Sequence, residues 1–246
     1  MYPSWLVVLS WLTIVLGVAS ALWVAIDVRR RPPPMGIMAA VWPLTALFGG
    51  PILVAFYLRH GRSPEGGADH HHHHHHHHGD NHGGTADPSA VSVTKGSLHC
   101  GAGCSLGDIL AESAAALWPG ILTFFGYPGF WPDRIFAAWG LDFILAFVLG
   151  IVFQYYAIVP MQGLKPLQGI VAAVKADALS LISWQVGMYG AMAIFHFWVF
   201  PDLIGARLIP ASPPFWLAMQ IAMGAGLLTA WPTNRMLIRH GIKEAM

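Results

Sequence analysis

The sequence predicts an all-α fold, a polytopic membrane helical bundle of about six transmembrane helices with one long polar, His-rich loop. Three observations lead there. Apolar residues make up 55% of the 246-residue chain and charged residues only 10%, a balance suited to lipid and not to a water-facing surface. The apolar residues fall into blocks near the ~20 residues that cross a bilayer. One abrupt change of composition, at residues 61–98, separates an N-terminal pair of blocks (residues 1–60) from a C-terminal set of four (residues 99–246).

The first block, residues 5–26, precedes Arg29, Arg30 and Arg31. A cleaved signal peptide carries its positive charge before a shorter apolar core, so this block reads as a retained anchor. Pro32, Pro33 and Pro34 then make a stiff hairpin into the second block, residues 35–58, where Trp42-Pro43 and Gly49-Gly50-Pro51 predict a kink. Residues 61–98 are rich in Gly, Asp, Asn, Ser and His without apolar periodicity and predict a loop disordered without metal. Four blocks follow, at residues 106–125, 135–159, 176–200 and 215–230. The first of these carries Asp108 and Glu112 early and Trp118-Pro119-Gly120 late, which favours a partly interfacial or re-entrant element.

A six-span model places Arg59, Arg62, Lys95, Lys165, Lys175, Arg235, Arg239 and Lys243 on the amino-terminal side, with Arg29, Arg30, Arg31, Arg134 and Arg207 opposite. That distribution puts both termini and the His-rich loop in the cytosol of a bacterial inner membrane, although the triple arginine argues the other way. A cytosolic Cys100/Cys104 pair stays reduced and free to bind metal.

Three stretches carry a family resemblance: His99-Cys100-Gly-Ala-Gly-Cys104-Ser-Leu-Gly-Asp108, Lys175-Ala-Asp177-Ala-Leu-Ser180-Leu, and Thr229-Ala-Trp-Pro-Thr-Asn234-Arg235 continuing to Met246. They are similar to the bacterial membrane family catalogued as domain of unknown function 4396, over roughly the last 150 residues. The resemblance implies one multi-helix membrane domain and almost nothing about activity. The roles of the His tract and the N-terminal pair rest on chemistry alone.

That chemistry is metal chemistry. Imidazole and thiolate bind borderline and soft cations well, and both cysteines and most histidines lie in or beside the polar loop. The run His70, His71, His72, His73, His74, His75, His76, His77 and His78 reads as a promiscuous collector or sensor of transition-metal ions. Its internal position, among Asp69, Asp80 and His82, argues against a purification tag. His99, Cys100 and Cys104 offer three ligands for Cu(I) or Zn(II), with Asp108 or Glu112 as a fourth for zinc; alternatively the cysteines are small buried residues. Cys100, Cys104, Asp108 and Glu112 recur every four residues and would form one stripe on a continuous helix. Gly101, Gly103 and Gly107 instead favour a helix starting near Ser105, with the sulfur ligands clustered at its amino end.

Within the apolar blocks, polar residues face the bundle interior because lipid penalises them. Asp142 is the least easily excused: it can ligate a cation, carry a proton or bond a neighbouring helix. For Asp177, beside Lys175, a surface salt bridge is expected. Met188, Met192 and His196 recur at four-residue spacing and form either a soft-metal ladder or ordinary packing.

Two classes of function follow for such a chain: a metal transporter or channel, or alternatively a non-transporting metal sensor or a delivery factor for a partner metalloenzyme. The partners expected are the lipid bilayer and a copper or zinc ion, with a metalloprotein partner or a homodimer compatible. The net charge of +1 without a basic stripe excludes nucleic acid. No nucleotide-binding motif and no nucleophile–base pair is present, so the chain is not expected to be an enzyme, and any transport is passive or gradient-driven.

Overall fold

The computed structural model describes residues 1–64 and 87–244. The tract His70 to His78, and with it the metal-collector reading, lies outside the described residues. Among those that are described there is no strand; six long helices form one bundle.

Helix α1 (Ser4–Arg30) is apolar on every side, with Trp5, Val8, Trp11, Leu12, Val15, Leu22 and Ile26 exposed to the surroundings. Its buried face includes the small residues Ser10, Gly17 and Ser20, which let α2 and α6 approach closely. Arg29 and Arg30 close its last turn, where positive charge complements the helix dipole.

Helix α2 (Met38–His60) departs from the sequence reading. The expected kink at Gly49-Gly50-Pro51 is a reversal. Gly50 adopts φ +53 and ψ −140, a conformation open to glycine, and Pro51 lacks the N–H that would carry the helix through. The two halves fold back side by side: the Trp42 and Tyr57 rings lie 5.4 Å apart, and Gly61 sits against the Trp42 ring. A straight helix would hold residues 42 and 57 about 22 Å apart. Arg62, just after α2, grips Asp27 of α1 through paired hydrogen bonds of 2.9 and 2.7 Å, and Tyr57 donates to the same carboxylate at 2.8 Å. Both ends of α2 therefore lie at one end of the bundle, and its tip lies among Thr13, Leu217 and Gln220, on the amino-terminal side of the midpoints of α1 and α6.

Helix α3 (Ala90–Leu117) begins fifteen residues before the expected start at Ser105, so residues 90–98 are helical and not part of a loop. Ser89 caps it, accepting from Ser92 N at 3.1 Å, while Ser105 lies mid-helix and donates to Gly101 O at 2.8 Å. The glycines that made a helix doubtful are contact points. Gly103 abuts Gly150, Gly107 abuts Ala146, and Gly101 receives the Trp184 ring. Each costs about 1 kcal/mol of helix propensity, offset by the close packing it permits. As expected, Trp118-Pro119-Gly120 ends the helix, and a 3₁₀ turn (Pro119–Phe125) leaves at 112°.

Helix α4 (Arg134–Gln162) is capped by Asp133, which accepts from Ile135 N at 3.0 Å. Helix α5 (Pro166–Ile194) continues into a π-helical stretch (Phe195–Ile204). Helix α6 (Pro213–Arg239) starts at Ser212 and ends in a turn at Gly241, φ +67. Helix α3 is central and touches α2, α4, α5 and α6.

Among the described residues, four stretches can cross a membrane by length and composition, Ser4–Arg30, Met38–His60, Arg134–Pro160 and Pro166–Ile204, or five if α3 and its bent 3₁₀ turn count as one span. The chain is an integral membrane protein. The expected six spans give way to five helices that run from one end of the bundle to the other, α1, α3, α4, α5 and α6, and one that turns back. The polar content of α6, with Gln220, Thr229, Thr233, Asn234 and Arg235, keeps it below the apolar measure that the others meet.

This path also corrects the charge count. One end of the bundle holds Arg29, Arg30, Arg31, Arg59, Arg62, Lys95, Lys165, Lys175, Arg235, Arg239 and Lys243, and the other holds Arg134 and Arg207: eleven of the thirteen basic residues against two. Tyr2 lies at the second end, donating to Arg207 O at 2.8 Å, while Lys243 lies at the first, so the first and last described residues are at opposite ends. The triple arginine, discordant in a six-span model, joins the basic end.

Candidate functional site

A continuous helix through Gly101 and Gly103 lines up the four-residue repeat that a break would have scattered. From Gly96 to Glu112, a rise of about 24 Å along α3, buried polar groups succeed one another through the centre of the bundle. That length compares with a hydrocarbon layer of about 30 Å.

At the basic end, the Lys243 ammonium is fully buried and donates to Asp177 Oδ1 at 2.6 Å, Asn234 Oδ1 at 2.8 Å, Cys100 Sγ at 3.2 Å and Gly96 O at 3.3 Å. The Cys100 thiol donates to Asp177 Oδ1 at 2.7 Å and lies 3.0 Å from Ser180 Oγ. The Asn234 amide donates to Ser180 Oγ at 2.6 Å and Ser97 Oγ at 3.1 Å. Burial works against the charge of Lys243, but Asp177 and Cys100 outweigh it and hold the ammonium above the ordinary lysine range. Asp177 is therefore no surface residue paired with Lys175; Lys175 is exposed, and Asp177 takes its countercharge from beyond α6. Nothing local in the sequence pairs residues 177 and 243. The one available signal was a charged residue beside a predicted span end, flanked by small residues.

His99, next along the chain, points elsewhere because adjacent helical residues project about 100° apart. Its ring packs on Phe153 (centroids 6.2 Å), and neither nitrogen makes a well-formed hydrogen bond. Cys104, one turn on from Cys100, is buried between the basic-end cluster and the carboxyl groups. His99, Cys100 and Cys104 thus do not converge on one point, and none sits at a helix amino end. Among the described residues no three His, Cys, Asp or Glu side chains are grouped to hold a metal ion.

The second half of the seam is acidic. Asp108 and Glu112 of α3 and Asp142 of α4 are all buried, and both oxygens of Asp108, both of Asp142 and Oε2 of Glu112 lack a well-formed hydrogen bond. The three lie close enough to act on one another electrostatically, and Arg134, at the acidic end of the seam, acts on Glu112 and Asp142. Gln185 of α5 faces Asp108 with its own amide atoms unsatisfied. Leaving carboxyl oxygens unpaired in a low-dielectric interior is costly, which sets these three groups apart from the rest of the bundle. A cavity of about 230 Å³ connects Asp108 and Ser105 to Leu44, Leu47 and Phe48 of the turned-back α2 and to Gln220 of α6.

The remaining expected ligands fall outside the seam. Met188 and Met192 are buried in the apolar core with Met219, Met223 and Trp184, which is packing and not a ladder. His196 lies at the start of the π-helical stretch, where its Nε2 pairs with Asp133 Oδ2 at 3.0 Å, at the end opposite Lys243.

A family model described as Domain of unknown function (DUF4396) matches residues 91–243. The chain belongs to this family. The matched stretch runs from the second residue of α3 to Lys243, so it contains the whole seam and leaves α1 and α2 outside. No curated protein matches the chain, and no solved structure does.

Proposed function

We propose that the protein is a membrane transporter that moves a divalent transition-metal cation, with protons carried in the opposite sense by Asp108, Glu112 and Asp142. The observation that carries the reading is the trio of buried, unsatisfied carboxyl groups contributed by two packed helices. Intramembrane acids of this kind mark ion and proton routes, and a fold retains them at a cost only where they do something. The turned-back α2, broken inside the bundle and bordering the cavity that reaches Asp108, supports the same reading, since broken helices in membrane proteins line binding cavities.

Zinc fits better than copper. The central donors are carboxylate and amide oxygens, which suit harder ions, while the thioethers that would suit Cu(I) are committed to packing. The basic end faces the cytosol on the positive-inside rule, and the described flanks of the His tract, Pro64 and Asp87, lie at that end, so the tract supplies or senses cytosolic metal. The activity is translocation, with no enzymatic step.

Proteoliposomes under a proton gradient test this. Zinc uptake is expected for the wild type, to fall at least tenfold in Asp142→Asn and Glu112→Gln, and to survive deletion of residues 69–82. Zinc binding without uptake in the wild type assigns the protein to the sensor or delivery class instead.

A further inference from the structure

Lys243 stands where a bound cation would stand. Its Nζ is enclosed by a carboxylate oxygen, an amide oxygen, a main-chain carbonyl and a sulfur, at 2.6, 2.8, 3.3 and 3.2 Å, from three helices. Four acceptors for three N–H groups is more than an ammonium needs. One further atom at this nest, Asp177 Oδ2, lacks a well-formed bond of its own. The ammonium is also not built into a helix. It is carried by the segment after α6, folded back at Gly241, whose N–H groups at residues 242 and 243 both bond to Leu237 O. Release of that one turn withdraws the charge from the seam without disturbing any transmembrane helix.

We propose that Gly96 O, Cys100 Sγ, Asp177 and Asn234 Oδ1 form a cation-binding site at the basic end of the seam, and that Lys243 is its tethered occupant, displaced by a divalent cation of borderline softness such as Zn²⁺ or Co²⁺. The donor set matches that class: one thiol able to ionise on metal binding, one carboxylate, and neutral oxygens. With Lys243 in place the site is filled and the seam closed at this end; with a metal in place the thiol proton and the ammonium have left. The site deepens the transport reading as its cytosolic entry. Its test is equilibrium binding at Cys100, so it fails separately from carboxyl-dependent flux.

Co²⁺ titration of the reduced, full-length protein in detergent reads the site directly, because thiolate coordination gives a near-ultraviolet charge-transfer band. Lys243→Ala is expected to bind Co²⁺ at least tenfold more tightly than wild type with that band. Adding Cys100→Ser should abolish band and gain together, and n-butylammonium, which replaces the missing side chain, should compete with Co²⁺. Equal affinity in Lys243→Ala and wild type, a gain that persists without Cys100, or indifference to n-butylammonium overturns the proposal. The wild type supplies a check independent of whether that variant folds: amine-reactive labelling of Lys243 should rise as Zn²⁺ is added and should not rise in Cys100→Ser. Labelling unaffected by Zn²⁺ in the wild type overturns the proposal.

Discussion

Gly103→Ala places one methyl group at the tightest point of the α3–α4 crossing. Its Cβ would lie 2.6 Å from Gly150 Cα and 2.8 Å from Gly150 N, about 0.8 Å inside the 3.4 Å limit of ordinary contact. The obstacle is main chain, which cannot rotate away, so the two helices must part. Overpacking of this kind costs about 1–3 kcal/mol. Alanine recovers roughly 0.8–1 kcal/mol of helix propensity, leaving a net loss of about 0–2 kcal/mol. Gly190→Ala is the matched control, a helical glycine in α5 with nothing within 4 Å of the added methyl, and should be neutral or stabilising by about 0.4–1 kcal/mol. Reversible unfolding in mixed micelles, followed by tryptophan fluorescence, separates the two. Parting α3 from α4 also moves Asp108 and Glu112 away from Asp142, so Gly103→Ala should lose transport beyond its loss of folded protein. A Gly103→Ala protein as stable as Gly190→Ala would refute the close approach of these helices and the alignment of the seam that depends on it.

Three further outcomes follow from the same structure. Gly50→Ala puts a side chain at φ +53 and ψ −140, a strain of about 1–3 kcal/mol, and should raise protease sensitivity of the α2 tip in detergent; unchanged stability contradicts the reversal. Single-cysteine reporters in a Cys100→Ser/Cys104→Ser background should label Ser63→Cys and Ser212→Cys from opposite faces of the membrane, and Arg31→Cys from the same face as Ser63→Cys; Arg31→Cys and Ser63→Cys labelled from opposite faces would restore a spanning α2. Asp133→Ala removes the α4 cap and should cost about 1 kcal/mol at pH 7. Burial tends to raise the Asp133 carboxyl, but the Ile135 N–H and the His196 ring outweigh it and hold it below the ordinary value of 3.8. That contribution is complete above the ordinary value and is lost as pH falls through the lower folded value. The gap between wild type and Asp133→Ala in pH-dependent unfolding should therefore close only below about pH 4.

The apolar blocks announced themselves because lipid imposes a composition on anything that crosses it; α1 and α4 lie close to where hydropathy put them, while α5 starts ten residues before its expected start at residue 176. Asp142 was legible for the converse reason, as a charge with no excuse inside such a block. Gly49-Gly50-Pro51 signalled a break but not its direction: whether a broken helix bends or reverses depends on the ψ of one glycine and on the Arg62–Asp27 clamp, a pairing that sequence spacing does not reveal. The misread parity then carried through to the charge count and split the arginines between two faces. Gly101, Gly103 and Gly107 misled in another way. Propensity weighs a glycine by what it costs an isolated helix, whereas here Gly150, Ala146 and Trp184 repay the deficit from other helices. Lys243 was hidden because its partners, at positions 100, 177 and 234, meet only once the bundle is assembled.

Zinc-driven proton movement in proteoliposomes, read with an entrapped pH dye, bears most directly on the carboxyl route. A zinc concentration jump at initially symmetric pH should drive protons against the zinc flux in the wild type at a rate that is reduced at least tenfold in Asp142→Asn, with Gly190→Ala unaffected. A wild-type protein that binds zinc yet moves no protons, or an Asp142→Asn protein that moves them undiminished, would contradict a cation path through Asp108, Glu112 and Asp142.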